Sequence, residues 1–214
     1  MGNDMSSWTE GYMQAGEFPT FKIFDTSLNT YFDVTPSENF AWENMGFFIM
    51  DNLYITMNYS IDLHQYSNFI SFYGFPGNDT VSVVMGDLGN NINAVFGEAV
   101  SAVNDNGNWL GTLLELDLSS GYWIRMANSD TLTGTGFPYN IHREYFLHAG
   151  ANLVSFPAMG SFHLTDAIPD ETEGNISAII GQGSSAININ NLGWAGSLMQ
   201  FEGLQGYWII ADSP

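Results

Sequence analysis

The sequence predicts a β-rich α+β fold, in which an N-terminal β region is followed by two small homologous repeats. Two observations lead to this prediction: a composition rich in strand and turn formers, and a long internal similarity. Aromatic residues make up 15% of the chain, and they favour strands together with Ile and Val. The 23 glycines and 21 asparagines favour turns, so the strands should be short and closely connected.

The internal similarity has a period of 84 to 85 residues. It includes two tryptophans per copy, in one order and at nearly one spacing, which makes coincidence among common residue types a poor explanation. Two copies are too few for a solenoid, which usually needs three or more repeats, so two small related domains fit better. The matched segments are 63–64 with 147–148, 68–72 with 152–156, 91–97 with 175–181, 101–104 with 185–188, 109–113 with 194–198, and 121–124 with 206–209.

Each repeat is predicted to contain a strand, a short helical segment, a second strand, a turn and a closing strand. The closing strand has the sequence Gly-Tyr-Trp-Ile in both copies, and we expect its tryptophan, Trp123 or Trp208, to lie in the core. We expect the glycine before it to end a turn at positive φ. The expected ranges are 69–72 and 153–156 for the first strand, 81–88 and 164–173 for the helical segment, and 92–96 and 176–180 for the second strand.

Residues 1–58 do not match the repeat. The alternation of apolar and polar residues at 21–25 predicts a strand, and 31–34 would return as the second strand of a hairpin. Further strands are expected at 47–50 and 53–57. The predicted domains are therefore an N-terminal β region at 1–58, a first repeat at 59–127, a linker rich in Gly and Pro at 128–144, and a second repeat at 145–214.

The charge balance excludes several classes of partner. There are 23 acids and 3 bases, a net charge of −20, so we expect neither nucleic-acid binding nor docking on anionic membranes. The chain has no cysteine, which rules out a thiol nucleophile, a thiolate metal site and a disulfide scaffold. No apolar run approaches the length of a membrane span, and the acidic, polar N-terminus does not resemble a signal peptide. We therefore expect either non-standard export or a leader already removed.

Several segments resemble a module of large surface-exposed or secreted proteins of marine bacteria and of structural proteins of marine, T4-like bacteriophages. The first copy departs from that pattern, because Tyr73 and Gly74 stand where the second has Pro157. The resemblance implies a structural or adhesive role without catalysis, and it carries over no catalytic residue. The segments that carry it are 152–157, 176–183, 194–198 and 206–209 in the second copy, with 19–25 and 31–33 near the N-terminus.

The leading functional hypothesis is a non-enzymatic structural or adhesive component of a phage virion exterior: a decoration, fibre-associated or host-attachment protein at the virion surface. Its expected partners are other virion proteins, further copies of itself and a host-surface glycan, without nucleic acid or membrane insertion. The alternative is a secreted bacterial carbohydrate-binding or cell-surface module. A third and weaker hypothesis is an acidic glycosidase.

Trp109 and Trp194 are the candidate ligand-binding residues. Both stand beside loops rich in Asn and Gly, where an exposed indole could stack on a sugar ring. The competing interpretation is that they cap the core of each repeat. His64 and His148 are equivalent in the two copies, which favours a structural, hydrogen-bonded role over catalysis.

No cofactor is predicted, with calcium as a weak exception. Segment 104–108 is rich in side-chain oxygens, but it lacks the downstream glutamate of an EF-hand loop. The acid pairs Glu115 with Asp117 and Glu171 with Glu173 could in principle serve glycoside hydrolysis, although solvated surface acids are the simpler interpretation. The chain contains no G-x-S-x-G nucleophile elbow.

Overall fold

The fold is β-rich, with 46% of residues in strands and 9% in helices. Backbone contacts divide the chain into two compact units, Met1–Met57 and Asn58–Pro214. In the part that the structure describes, no helix has the length and apolar character needed to cross a bilayer. The computed structural model describes residues 3, 6–26, 30–138, 143–189 and 192–214.

The smaller unit contains an antiparallel three-stranded sheet. Its strands β1 (Phe21–Asp25) and β2 (Thr30–Pro36) form the expected hairpin, and β3 (Leu53–Ile55) pairs with the other side of β2. The prediction of a strand at 47–50 is wrong, because this segment has no regular structure and Phe47 is exposed. An apolar run forms a strand only where a neighbouring strand can pair with it.

The larger unit combines short strands with helices of one or two turns. Its helices are α1 (Val81–Val84), a 3-10 helix (Gly86–Asn91), α2 (Leu164–Ala167) and α3 (Asp170–Glu173). Its strands are β4 (Met57–Leu63), β5 (Tyr66–Ile70), β6 (Gly74–Phe75), β7 (Ile92–Phe96), β8 (Ser101–Asp105), β9 (Asn108–Gly111), β10 (Tyr122–Met126), β11 (Asp130–Pro138), β12 (Gly150–Ser155), β13 (Ser161–His163), β14 (Ile176–Ile180), β15 (Ser185–Ile189), β16 (Gly193–Gly196), β17 (Gln200–Glu202) and β18 (Gly206–Ala211).

Two five-stranded antiparallel sheets dominate this unit. The first has the order β5-β10-β7-β8-β9, and the second has the order β12-β18-β14-β15-β16. In each sheet the strand that is last in sequence lies second in space, between the first strand and the strand after the helical segment. Trp123 stands opposite Phe69 and Phe96, and Trp208 stands opposite Leu153 and Ile180. Corresponding residues of the two sheets are therefore 84 or 85 positions apart.

The tyrosines of the Gly-Tyr-Trp-Ile strands face the core. Tyr122 and Tyr207 are each only 2% exposed, and burial raises the pKa of both to about 12. The Tyr122 hydroxyl accepts a hydrogen bond of 2.6 Å from the backbone N–H of Asp117, and the Tyr207 hydroxyl accepts one of 2.7 Å from Glu202. Each phenol thus fixes the chain five residues before it.

The tryptophans of the same strands do not lie in the core, so that prediction is wrong. Successive strand residues point to opposite faces of a sheet, and the neighbouring Tyr122 and Tyr207 point inward. Trp123 and Trp208 are half-buried on the outer faces. The Trp123 ring stacks on Phe69 with 4.5 Å between ring centroids.

The segment expected to link the repeats, 128–144, contains strand β11. This strand lies between β4 and β6 in a three-stranded sheet, and its Leu132 is fully buried. The remaining sheet pairs β13 with β17. Gly134 and Gly136 serve in β11 as sites of close backbone packing, where their presence in the sequence had suggested a flexible connection.

Candidate functional site

The predicted tryptophans occupy equivalent places on two different sheets. Trp109 lies on β9 opposite Asn104, and Trp194 lies on β16 opposite Asn188. Both indoles are half-buried. Trp194 packs against the core of the second sheet, and its Nε1–H donates a 2.5 Å hydrogen bond to the Glu173 carboxylate. The structure does not bring the two rings into one site, so ligand binding by either would be separate.

The oxygen-rich segment 104–108 forms the turn between β8 and β9. Asn106 and Gly107 have positive φ angles of 52° and 92°, which suits a two-residue hairpin turn. The Asn104 carbonyl oxygen accepts the N–H of Gly107 at 2.7 Å, and its amide donates to the carbonyl of Gly89 at 2.8 Å. Within the described residues, no group of three or more His, Asp or Glu side chains could hold a metal ion. Calcium binding stays an untested hypothesis.

Two clefts indent the surface of the larger unit. One, of about 310 Å³, is lined by Phe75, Phe137, Asp117 and Arg143 among others, and Arg143 lies 3.7 Å from the Asp117 carboxylate. The other, of about 430 Å³, is polar, with side chains such as Gln182 and Glu202. Neither is lined by Trp109 or Trp194 among the described residues.

The most regular arrangement of polar groups lies at the junction of the two five-stranded sheets. The backbone N–H of Ser71 donates to the carbonyl of Leu204 at 3.0 Å, and the N–H of Ser155 donates to the carbonyl of Ser119 at the same distance. The donors are 84 residues apart and the acceptors 85. The contact is therefore reciprocal: each sheet gives the other what it receives.

Two equivalent side chains clasp this junction. Glu98 of the first half accepts the backbone N–H of Leu153 at 2.8 Å and contacts the His148 Nε2 at 2.6 Å. Gln182, 84 residues later, accepts the backbone N–H of Phe69 at 2.6 Å. Its amide nitrogen lies 2.9 Å from the Nε2 of His64. Each clasp thus engages a histidine and the start of the first strand in the opposite sheet.

The histidines are fixed in the same way in both halves. The Nδ1 of His64 donates to the carbonyl of Gln65, and the Nδ1 of His148 donates to the carbonyl of Ala149, both at 2.8 Å. The remaining ring nitrogen of each points across the junction to the clasp. Sequence reasoning placed the histidines in a hydrogen-bonded role but missed their partners. The offset of 84 between Glu98 and Gln182 was the available signal.

The two clasps differ in charge. Burial opposes ionisation of Glu98, but hydrogen bonds from His148 and from the N–H of Leu153 outweigh it and lower the pKa of Glu98 below its ordinary value of 4.5. The hydrogen bond to Glu98, with one to the carbonyl of Ala149, raises the pKa of His148 above 6.5. The other clasp, Gln182 with His64, is a neutral amide against an imidazole.

Two glycines allow the sheets to approach. A Cβ on Gly206 would lie 2.8 Å from the carbonyl oxygen of Ile70 and closer still to the Phe69 ring, and a Cβ on Gly121 would lie 2.7 Å from the carbonyl oxygen of Val154. Neither glycine has positive φ, so the expectation of a turn at positive φ is wrong. The glycine of each Gly-Tyr-Trp-Ile segment is required by close packing of the two halves.

Similarity to known proteins gives no assignment for this surface. No protein-family model, curated protein or solved structure matches the chain. What supports a function is therefore the placement of the residues and the resemblance that the sequence segments carry.

We expect Gly206→Ala to lower the free energy of unfolding by about 2 kcal/mol or more, because the added methyl group must displace the Phe69 ring or the backbone at Ile70. Urea unfolding followed by tryptophan fluorescence measures this. Gly174→Ala is the control, because a Cβ there meets open space and the φ of −64° suits any residue. Equal stability of both variants would contradict the packing argument.

We expect the Glu98–His148 pair to stabilise the fold most between the unfolded-state pKa values of its two groups, near 4.5 and 6.5. The raised pKa of His148 gives a contribution that is complete below about 6.5 and is lost as the pH rises through the folded value. The lowered pKa of Glu98 gives one that is present above about 4.5 and is lost as the pH falls through the folded value. Because the pair is partly exposed, the effect should be small.

Thermal unfolding at a series of pH values tests this pair. Glu98→Gln should flatten the dependence above pH 6, since it copies the neutral Gln182 clasp while keeping an acceptor for Leu153. Gln182→Glu should introduce a similar dependence at His64. An unchanged profile in both variants would show that the clasps do not couple protonation to stability.

Proposed function

We propose that this protein is a non-enzymatic structural or adhesive component of the exterior of a phage particle, a decoration, fibre-associated or host-attachment protein. The proposal includes a duplicated folding unit, with residues 59–127 and 145–214 as two small β-rich α+β copies. The shared strand order and the reciprocal junction support the duplication. The resemblance of the sequence segments to a phage and bacterial surface module supports the role.

The observation that carries the proposal is the outward face of each five-stranded sheet. We call the outer rows the two lines of cross-strand neighbours that point away from the core. Each line crosses the sheet through directly paired residues, so its side chains form a continuous surface. In the first sheet the outer rows are Ser67, Arg125, Ala94, Val103 and Leu110, and then Phe69, Trp123, Phe96 and Ser101; in the second they are Ala151, Ile210, Ala178, Ile187 and Ala195, and then Leu153, Trp208, Ile180 and Ser185.

Both copies keep these rows largely apolar although the rows do not fill the core. Phe96, Val103 and Leu110 are exposed in the first sheet, as are Ile180 and Ile187 in the second. An antiparallel sheet with one solvated face ordinarily places polar residues there. Contiguous exposed apolar surface is typical of protein–protein contact, which is what a component of an assembly needs.

The charge of the remaining surface fits the same role. The 23 acids of the chain are absent from all 18 positions of the outer rows, nine in each sheet. High negative charge keeps a particle surface apart from other acidic surfaces, and salt water screens the repulsion within about 8 Å or less. Acids that cover the protein except at two apolar faces separate contact surface from exposed surface.

Purified phage particles from the host that carries this gene test the proposal. We expect the protein in fixed stoichiometry by quantitative mass spectrometry, and we expect antibodies against it to label intact particles in electron micrographs. Antibodies against an internal particle protein are the control and should label only opened particles. Absence of the protein from purified particles would overturn the proposal.

The alternative, a secreted bacterial carbohydrate-binding or cell-surface module, is favoured by one observation. Trp109 and Trp194 keep part of their rings accessible at equivalent edge strands, and the bond from Trp194 to Glu173 holds its indole in one orientation. A fixed, partly exposed indole is a suitable surface for stacking on a sugar ring.

Under this alternative, the protein binds a glycan on an array, and Trp194→Ala weakens that binding about tenfold because a stacking surface is lost. Leu192→Ala is the matched control, since Leu192 is 82% exposed two residues away. Circular dichroism establishes that both variants are folded. Binding that is unchanged in Trp194→Ala and Trp109→Ala would exclude these tryptophans as the glycan site.

A further inference from the structure

We propose that the outer face of the second five-stranded sheet is the contact surface for a second copy of this chain, packed face to face about a twofold axis. Eight of the nine residues in its outer rows are apolar, the ninth is Ser185, and none is charged. Ile180 and Ile187 are 42% and 59% exposed.

The two sheets are not equally suited to this contact. Arg125 lies within the outer rows of the first sheet, and Asp105 lies beside them on β8. The equivalent residues of the second sheet, at offsets of 85 and 84, are Ile210 and Ile189, and Ile189 is 44% exposed. A twofold contact between first sheets would bring like charges together, whereas a contact between second sheets buries only neutral side chains.

Charge selects a copy of this chain as the occupant. A steered, basic partner would be met by acids, but the outer rows of the second sheet contain none. Two chains of net charge −20 repel each other everywhere except where carboxylates are absent, and this face is such a place. The matching chemistry for a neutral, β-branched sheet face is another such face, since sheets pack with interdigitated apolar side chains about 10 Å apart.

The face is also continuous with a contact between sheets that already exists. Leu153 and Trp208 form one end of its second row, and the backbone N–H of Leu153 is bound by Glu98 at the junction. From that end the apolar surface extends through Ile180 and Ile187 to the edge strand β16. A second copy would extend the same packing outward from the junction.

The size of the face predicts a weak dimer. Five strands about 4.8 Å apart make a face roughly 20 Å wide, at the low end of the sizes of specific interfaces. Such contacts fill at high local concentration, as on a particle that displays many copies. The inference therefore rests on the proposed structural role, but the two fail separately: particle labelling tests the role, and the oligomeric state tests this face.

Sedimentation equilibrium of the purified full chain, from micromolar to near-millimolar concentration, tests the proposal. We expect a monomer–dimer equilibrium that is tighter in about 1 M NaCl, where the screening length falls to about 3 Å and repulsion between the acidic chains is removed. Ile187→Glu should weaken dimerisation at least about tenfold, because it places a carboxylate in each half of the contact.

Val103→Glu is the matched control, since Val103 is the equivalent residue of the first sheet and is 48% exposed. We expect it to dimerise as the wild type does. Both residues are exposed, so neither variant needs to bury a carboxylate to fold, and thermal unfolding verifies this. A wild-type chain that stays monomeric at all concentrations and salts, an Ile187→Glu variant that still dimerises, or equal loss in both variants would overturn the proposal.

Discussion

The close approach of Gly121 and Gly206 is the constraint on which the larger unit depends. A Cβ on Gly121 would lie only 3.3 Å from the Cα of Gly206, so the two central strands meet where no side chain fits. Around this point Ser71 and Ser155 donate reciprocal backbone hydrogen bonds. Backbone groups buried without partners are costly, so this reciprocity satisfies both sheet ends at once. The positions of both clasps and of both outer faces follow from it.

The sequence predicted the regular strands well because they repeat. Segments 92–96 and 176–180 coincide with β7 and β14, since both lie between conserved spacings of the two copies. It failed where a decision needed a neighbour in space. The Gly- and Thr-rich segment of β11 is a strand because β4 and β6 flank it. The side chains of Trp123 and Trp208 could have been placed correctly, because strand alternation forbids adjacent Tyr and Trp side chains from both facing one core.

The candidate sites show the same limit. The sequence identified Trp109 and Trp194 as equivalent, and their common position at the edge strands follows from the offset. Nothing local indicated that Glu98 would reach His148 fifty residues away, because that contact exists only when the sheets meet. Apolar outer rows are equally hidden in the sequence: a strand with apolar residues on both faces has no period of two, and resembles a strand buried on both sides.

The reciprocal junction has a consequence for the origin of the chain. Each half presents to the other both a clasp and the histidine that receives a clasp, so one half alone is complementary to a second copy of itself. The duplication that we infer therefore requires no new surface, because an ancestral single-length chain could already assemble as a homodimer. Fusion of two such genes would make the halves independent in sequence, and the charged Glu98 opposite the neutral Gln182 is a difference that only a covalently joined pair can fix in one half.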